Sequence, residues 1–490
     1  MISLRAPANA VGVAVIAAAA RAVVATEGGN GDAAALVLQM AAEDARQRAT
    51  VGRDDAELDL TAQVDGTEIL VILRDRGEPV SGPARMLAPL IELGVMTSAE
   101  GFIDDAGNVT EVRFARPGHA QILDSANIAQ VTDDDALSTE PVTLRALQAG
   151  DAPALTRAIY RCYGWTYPHP DLYYPERIAA AIEAGRRIGE VAVTADGEIA
   201  AHWGALFLTP TIVESGLALT DPRFRRRGLA KELDQRVIAR LLTSEAAGCV
   251  MNPVLTHTAT QQLALEEGSV IVGAYLSYGM PVEQVGITSG VLRERRSLPL
   301  AYRTVKPLTP ATLWVPAPYT SFVHAAIDNT SWPREFGSAQ RAPQVAAQTV
   351  VATKLDSFNR RGEIEVRSLG QDLVDAVDEA LIALRGSGAE VVHVFLPVNE
   401  PALQVLGEGL TELGLAFGSI IPEYTAQGDA LVLQWLADPA VDTSTWHYLN
   451  DEIEVFITAI LRQVRDLSER GTQSRRRAAH RAALFAALDR

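Results

Sequence analysis

A chain of 490 residues implies two to four domains at roughly 100–200 residues each, and its formal net charge of -18 argues against general nucleic-acid binding. At 48% apolar and 21% charged residues, the composition is that of a globular protein and excludes a disordered one. Cys162 and Cys249 lack metal-ligand spacing and cannot form a disulfide framework, which fits a reducing cytoplasm. The apolar run 11–25 is broken by Arg21, is too short to span a bilayer and lacks a basic leader. It reads as a buried helix.

Residues 1–130 form the first expected domain. Alanine-rich helices over 8–26 and 32–48 precede two strands, 57–64 and 69–74, hinged at Asp65-Gly66. The second strand runs into Asp75-Arg-Gly77-Glu-Pro-Val80, and the second helix carries Glu43 with Gln47 one turn later. A strand ending in Asp-x-Gly-x-Pro resembles the adenine box of anti-sigma-factor kinases in the histidine-kinase-like ATPase family. That resemblance implies an α/β sandwich in which Asp75 accepts from the adenine amino group and Gly77 gives the base room. In that family the position of Gln47 holds a Mg²⁺-binding Asn, and the phosphate lid is glycine-rich, whereas 87–94 here has no glycine pair. The expectation is therefore a degenerate, regulatory nucleotide-binding-like domain with ATP as a doubtful ligand. An ordinary turn after a strand is the plainer alternative for Asp75 and Gly77.

Residues 124–139 are polar, and 131–140, with Asp133 to Asp135, reads as an acidic linker. From Pro141 the pattern becomes strand, helix (152–163), helix (175–185), then strands 190–194 and 199–207 joined by a hairpin at Ala195-Asp-Gly. Between the helices, 160–175 holds five tyrosines and Trp165, a loop suited to walling an acceptor pocket or simply to packing the helices. A further strand containing Glu214 and Leu217-Ala218-Leu219 ends at Asp221-Pro222. Arg225-Arg226-Arg227-Gly228-Leu229-Ala230-Lys231 follows and opens a helix with Leu229, Leu233, Val237 and Leu241 on one face. A basic, glycine-marked turn at a helix N-terminus suits a phosphate, because the first-turn N–H groups lack partners and glycine leaves the approach open.

Arg225-x-x-Gly228-x-Ala230 between a strand and a helix resembles the pyrophosphate loop of GNAT-type N-acetyltransferases, and the element order across 141–290 matches that family. The resemblance implies acetyl-CoA or another acyl-CoA as co-substrate, held by 225–231. It implies pairing of the pantetheine arm with Leu217 to Leu219, and direct transfer to an amine acceptor, a small molecule or a protein lysine. Glu214 is the expected base, with a solvated strand-end carboxylate as the alternative. Where relatives carry a proton-donating Tyr, this chain has Ala264, so either His257, Tyr275 or Tyr278 substitutes, or water does, or activity is lost.

Residues 295–440 continue with a strand at 311–315, a helix at 318–327, a strand at 345–355, a helix at 373–384 and a strand at 390–396. A helix at 401–413 and strands at 416–421 and 430–436 complete the segment. This part resembles the second half of a GNAT domain without its coenzyme loop. In the tail, 441–490, an apolar stripe from Trp446 through Leu467 should dock a helix, followed by a basic end at Arg475–Arg477. The expected fold is thus a multidomain α+β protein: an ATPase-like sandwich, tandem GNAT-type mixed-sheet domains and a helical tail. Two rival functions remain at this stage: a non-catalytic sensor of acyl-CoA or ATP, and an anti-sigma-type kinase. A regulatory partner for the N-terminal domain is also expected, with no nucleic acid and no membrane span.

Overall fold

The computed structural model describes residues 2–27, 29–50, 56–65, 68–78, 87–92, 95–104, 106–115, 137–164, 166–285, 287–288, 292–339, 344–356 and 359–488. The acidic run 133–135, Gly66, Pro79, Val80, Gly94 and Trp165 lie outside them.

The first unit contains β1 (Ile2–Pro7), α1 (Ala10–Thr26), α2 (Gly31–Ala49), β2 (Glu57–Asp65), β3 (Glu68–Asp75), α3 (Ala88–Glu92), β4 (Ser98–Asp104) and β5 (Gly107–Ala115). Its five strands pair antiparallel in the order β1-β2-β3-β5-β4. Asn9 and Asn30 cap the two long helices by accepting from Gly12 and Ala33 N–H. Their alanines, including Ala20, Ala41, Ala42 and Ala45, share a buried core with Leu58, Leu60, Ile69 and Leu73. Of the five strands, the sequence reading anticipated only β2 and β3.

The central unit contains β6 (Thr143–Ala146), α4 (Ala152–Tyr163), α5 (Pro175–Glu183), β7 (Arg187–Val193), β8 (Ile199–Phe207) and β9 (Ile212–Thr220). It continues with α6 (Leu229–Leu241), β10 (Gly248–Met251), α7 (Ala259–Glu266), β11 (Val270–Gly279) and β12 (Arg296–Thr304). Strand β12 lies between β10 and β11, so the expected boundary at 290–295 cuts through this unit. Pro299 hid β12 in the sequence, since proline argues against a central strand. The pairing accommodates it with a register shift at Ile271/Gly273, next to the Ala274–Pro299 pair.

The third unit contains β13 (Ala311–Leu313), α8 (Thr320–Ile327), β14 (Arg334–Phe336), β15 (Val350–Asp356), β16 (Arg361–Ser368), α9 (Leu373–Gly386), β17 (Val391–Pro397), α10 (Pro401–Leu406), β18 (Ala416–Thr425) and β19 (Gly428–Leu436). The final helix, α11, spans Asp451–Leu488. Its Ile453, Ile457, Ile460, Val464 and Leu467 are buried as the stripe predicted, at about 1.5–3 kcal/mol per side chain. Trp446 and Leu449 precede the helix and pack beside it.

Twelve strands form one continuous sheet, β15-β16-β17-β19-β18-β11-β12-β10-β9-β8-β7-β6. The pairing pattern is repeated within it. On one side, β8–β9 is antiparallel, β9–β10 parallel across α6, and β10–β12 and β12–β11 antiparallel. On the other, β15–β16 is antiparallel, β16–β17 parallel across α9, and β17–β19 and β19–β18 antiparallel. The two arrays run in opposite senses and meet at β11–β18 through the pair Gly273–Ser419. There a Cβ on Gly273 would fall 2.0 Å from the Gly418 carbonyl oxygen, so only glycine permits the approach. Gln434, fully buried, closes the seam. Its Nε2 donates to the carbonyls of Ala274 (3.0 Å) and Phe417 (2.8 Å), and its Oε1 accepts from Leu276 N–H (2.9 Å).

One buried charged cluster braces the central unit, and one neutral hydrogen bond joins the first unit to the third. Asp221, 0% exposed, follows β9 and accepts from Arg161 Nε (2.9 Å), Arg223 Nη2 (2.8 Å) and the Arg223 amide (3.1 Å). On the N-terminal side, Thr353 Oγ1 on β15 donates to Gly101 O on β4 at 2.9 Å. Beside it, burial pushes the Glu100 carboxyl up to about 7, with Lys354 opposing and Glu111 reinforcing the shift.

Asp221→Ala leaves Arg161 without that buried partner and is expected to destabilise the chain by about 3 kcal/mol, read from denaturant unfolding. Glu100 has a folded pKa above its ordinary 4.5, so its contribution is full below that value and is lost as pH rises through about 7. Glu100→Gln is therefore expected to gain up to about 3 kcal/mol over wild type between pH 5 and pH 8. An equal difference between the two proteins at both pH values would refute this.

Candidate functional site

The turn from β9 to α6 carries the geometry. Gly228 caps α6 at φ 73°, a left-handed conformation that glycine adopts without strain, and a Cβ there would meet nothing within 4 Å. Arg226, Arg227 and Gly228 are exposed. Among the described residues no hydrogen bond reaches the backbone amides of Arg226, Arg227, Gly228, Leu229 or Ala230. These are the orphan donors of a helix start, at its positive dipole end. A cavity of about 320 Å³ opens over them, lined by Thr220, Phe224, residues 225–231 and, from α7, Ala259, Gln262, Leu263 and Glu266.

The three arginines divide their tasks. Arg225 Nη2 donates to Val285 O (2.5 Å), and Arg227 Nη1 donates to Glu140 O (2.8 Å), holding the chain that enters the unit. Arg226, at φ 62°, has no hydrogen bond or ion pair among the described residues. Lys231 pairs with Glu266 across the cavity at 2.9 Å. Beneath, Leu229, Leu233, Val237 and Leu241 are buried as the periodicity predicted.

A cleft begins where β9 and β10 part. Their parallel pairing covers only Ile212–Gly248, Val213–Cys249 and Glu214–Val250. Beyond Glu214, β9 runs on to Thr220 while β10 ends at Met251. Gly216 (φ 142°) and Leu217 (φ 40°) form a bulge against β8, with the register shifting between His202 and Gly204. Of the three residues expected to pair a pantetheine arm, Leu217 O meets His202 Nδ1 (2.8 Å) and Ala218 O accepts from the Tyr163 hydroxyl (3.2 Å). Leu219 remains opposite His202 in the ladder. Burial depresses the His202 pKa to about 3, so the ring is neutral. The carbonyl at Nδ1 fixes the proton there and leaves Nε2 an unpartnered acceptor.

Glu214 stands at the fork, where Asn252 Nδ2 donates to its Oε1 at 2.9 Å. The proposed acids are held elsewhere. Tyr275 is buried with its hydroxyl 3.1 Å from Ser419 Oγ across the seam, and burial raises its pKa well above the ordinary value. It stacks on Tyr278 at 5.2 Å and packs against His393 at 4.4 Å. Burial, then the neighbouring His447, lowers the His257 pKa, and His257 O accepts from Gln261. Ala264 is fully buried in the core under α6 and supplies no proton.

The aromatic segment packs the two helices together, with Tyr167 and Tyr173 buried in a core that includes Leu155, Ile159 and Ile178. Tyr163 and Tyr167 meet edge to face at 4.6 Å, Tyr167 lies 5.8 Å from His169, and Asn359 of the third unit donates to Pro168 O (3.1 Å). Arg361 lies over the Tyr278 ring at 4.1 Å. Sequence reasoning singled out none of His202, Arg187, Arg361 or His393. Their only signal was a polar residue at an inward position of an apolar strand.

The expected nucleotide residues are engaged internally. Asp75 accepts from Arg48 Nη2 (2.7 Å), Asn108 Nδ2 (2.7 Å) and Gly77 N–H (2.9 Å), so an adenine amino group would have to displace one of them. A Cβ on Gly77 would lie 2.4 Å from the Arg48 carbonyl, so α2 occupies the room reserved for a base. Glu43 binds Arg46 and Gln47, and the Arg46 hydrogen bond draws its pKa down to about 2. Among the described residues no group of three or more acidic, histidine or cysteine side chains is placed to hold a metal. No helix among them is long and apolar enough to cross a membrane.

No family model and no curated protein matches the chain. Solved structures do match in part. A GNAT superfamily phosphinothricin acetyltransferase from Sinorhizobium meliloti, in complex with AcCoA, is 16% identical, with 34% of this chain and 89% of that chain covered and a TM-score of 0.28. The ribosomal-protein-S18-alanine N-acetyltransferase from Escherichia coli is 18% identical, with 34% and 94% covered and a TM-score of 0.27.

Proposed function

We propose that the chain is an acyl-CoA-dependent N-acyltransferase whose working site is the central unit. The observation that carries this is the row of unpartnered amides around Gly228, open to solvent beside a strand pair that separates after Glu214. A diphosphate satisfies those amides and the free Arg226, and the gap between β9 and β10 leads the thioester toward Glu214. The acceptor amine attacks the thioester carbonyl, forming C–N and breaking C–S. Glu214, oriented by Asn252, takes the ammonium proton directly or through one water.

The departing sulfur needs a proton. With Tyr275 bonded to Ser419 and Ala264 buried, the hydroxyl tied to β9 is that of Tyr163, and we assign it this role. A second reading, a sensor that binds the thioester without chemistry, is favoured by Ala264 alone. The N-terminal unit acts as a structural partner: the internal bonds of Asp75 and Glu43 weigh against both ATP binding and kinase activity.

Gly228→Val forces a branched side chain into the left-handed region and over the amides. It should abolish acetyl-CoA binding in calorimetry while the far-ultraviolet circular dichroism is unchanged, and retained affinity would refute the assignment. Glu214→Gln should lower kcat/KM by about 10²–10⁴, followed by release of free thiol, with coenzyme affinity unchanged. Thiol release from none of a broad amine panel, with acetyl-CoA still bound, would favour the sensor.

A further inference from the structure

On the face of the sheet that carries Glu214, one cation stands without the partners its position demands. Arg187 opens β7 opposite Leu206 and is 5% exposed. Its Nε and Nη1 have no hydrogen-bond acceptor among the described residues. Burial works against its charge, while Tyr167, Asp171 and Glu214 lie close enough to support it. Arg187 in turn acts on His202 and His169 and so lies among these residues. The other arginines of this region each have a hydrogen-bonding or charged partner, although Arg361 Nε is also idle. Arg361 is 3.3 Å from Asp356, Arg295 is 3.1 Å from Glu390, and Arg296 donates to Met280 O at 3.1 Å.

A buried guanidinium with idle donors is costly, and its natural complement is a carboxylate. Glu214 is engaged by Asn252 and, on the acyl-transfer reading, receives the amine. The neighbourhood thus offers one negative group for an amine and one positive group for an acid. Tyr167, Tyr275 and Tyr278 lie close enough to Glu214 to feel its charge, and Asn359 of the third unit holds Pro168 next to Tyr167. Two opposite charges set on one face of the sheet suit a small zwitterion rather than a lysine on a folded protein.

Resting on that reading, we propose that the acceptor is a free amino acid, an amine with a carboxylate a few atoms away, and that Arg187 binds the carboxylate. The test sets L-phenylalanine, L-methionine and L-lysine against phenethylamine, 3-(methylthio)propylamine and cadaverine, each with acetyl-CoA and the full chain. The wild type should prefer each acid over its decarboxylated partner by at least about 100-fold in kcat/KM. Arg187→Gln should collapse that ratio toward one through KM, and Arg187→Lys should restore part of it. Equal rates for acid and amine in the wild type, or a ratio that survives Arg187→Gln, would overturn the proposal. Coenzyme affinity, measured separately on each variant, reports both folding and the acyl-transfer reading. Should acetyl-CoA fail to bind, calorimetry with L-phenylalanine still decides: binding lost in Arg187→Gln supports the carboxylate site, and no binding to the wild type sinks it.

Discussion

Every functional feature of this chain descends from the early end of one parallel strand pairing. Strands β9 and β10 share three residue pairs and then separate, because Gly216 and Leu217 place a bulge in β9 and β10 stops at Met251. A sheet that parts at its centre exposes backbone polar groups that must be satisfied. Two side chains meet part of that need, the neutral His202 at Leu217 O and the Tyr163 hydroxyl at Ala218 O. Glu214 is fixed at the fork by the last pair, and α6 begins just after β9 ends, so Glu214 and the row of amides have a common origin in the same strand.

The opposite array shows why similar pairing need not give a similar site. Strand β16 passes to α9 as β9 passes to α6, but the chain itself serves the amides there. Gln371 N–H donates to Ala346 O, Gly370 N–H to Thr349 Oγ1, and Thr349 N–H to the Asp372 carboxylate. A Cβ on Gly370 would lie 2.2 Å from the backbone of Gln348. The turn is filled by protein and carries a carboxylate where the first array carries three arginines, so it would repel the anion proposed for the first array. This array contributes packing instead: Ser419 meets the Tyr275 hydroxyl across the seam, His393 packs on Tyr275, and Arg361 lies over the Tyr278 ring.

Legibility in the sequence followed the physics of each element. The α6 stripe and the hairpin at Ala195-Asp-Gly were readable because periodicity and turn chemistry are local. Strand β16 was passed over, although Glu363, Glu365 and Arg367 alternate with Ile364 and Val366 in the period-two pattern of a half-buried strand. Their apolar partners are buried in the sheet. Pro299 concealed β12, and with it the true end of the central unit. Asp75 was readable as a strand-end carboxylate, but its bond from Arg48 was not, because the reach of Arg48 from another element leaves no mark in local sequence. Arg187 was missed for the same reason: burial without a partner is a property of three-dimensional surroundings.

The seam imposes the last constraint. A single backbone pair joins the two arrays, and Gly273 is there because any side chain would strike the Gly418 carbonyl. So short a join would leave amides and carbonyls buried without partners, at about 1–3 kcal/mol each. Gln434 alone, with one acceptor and both donors used, satisfies groups on both arrays. A glutamate there would have no N–H to offer Ala274 O and Phe417 O, and a leucine would satisfy none of the three. The amide thus fixes the spacing of the arrays, and with it the distance from Arg361 and His393 to the Glu214 fork.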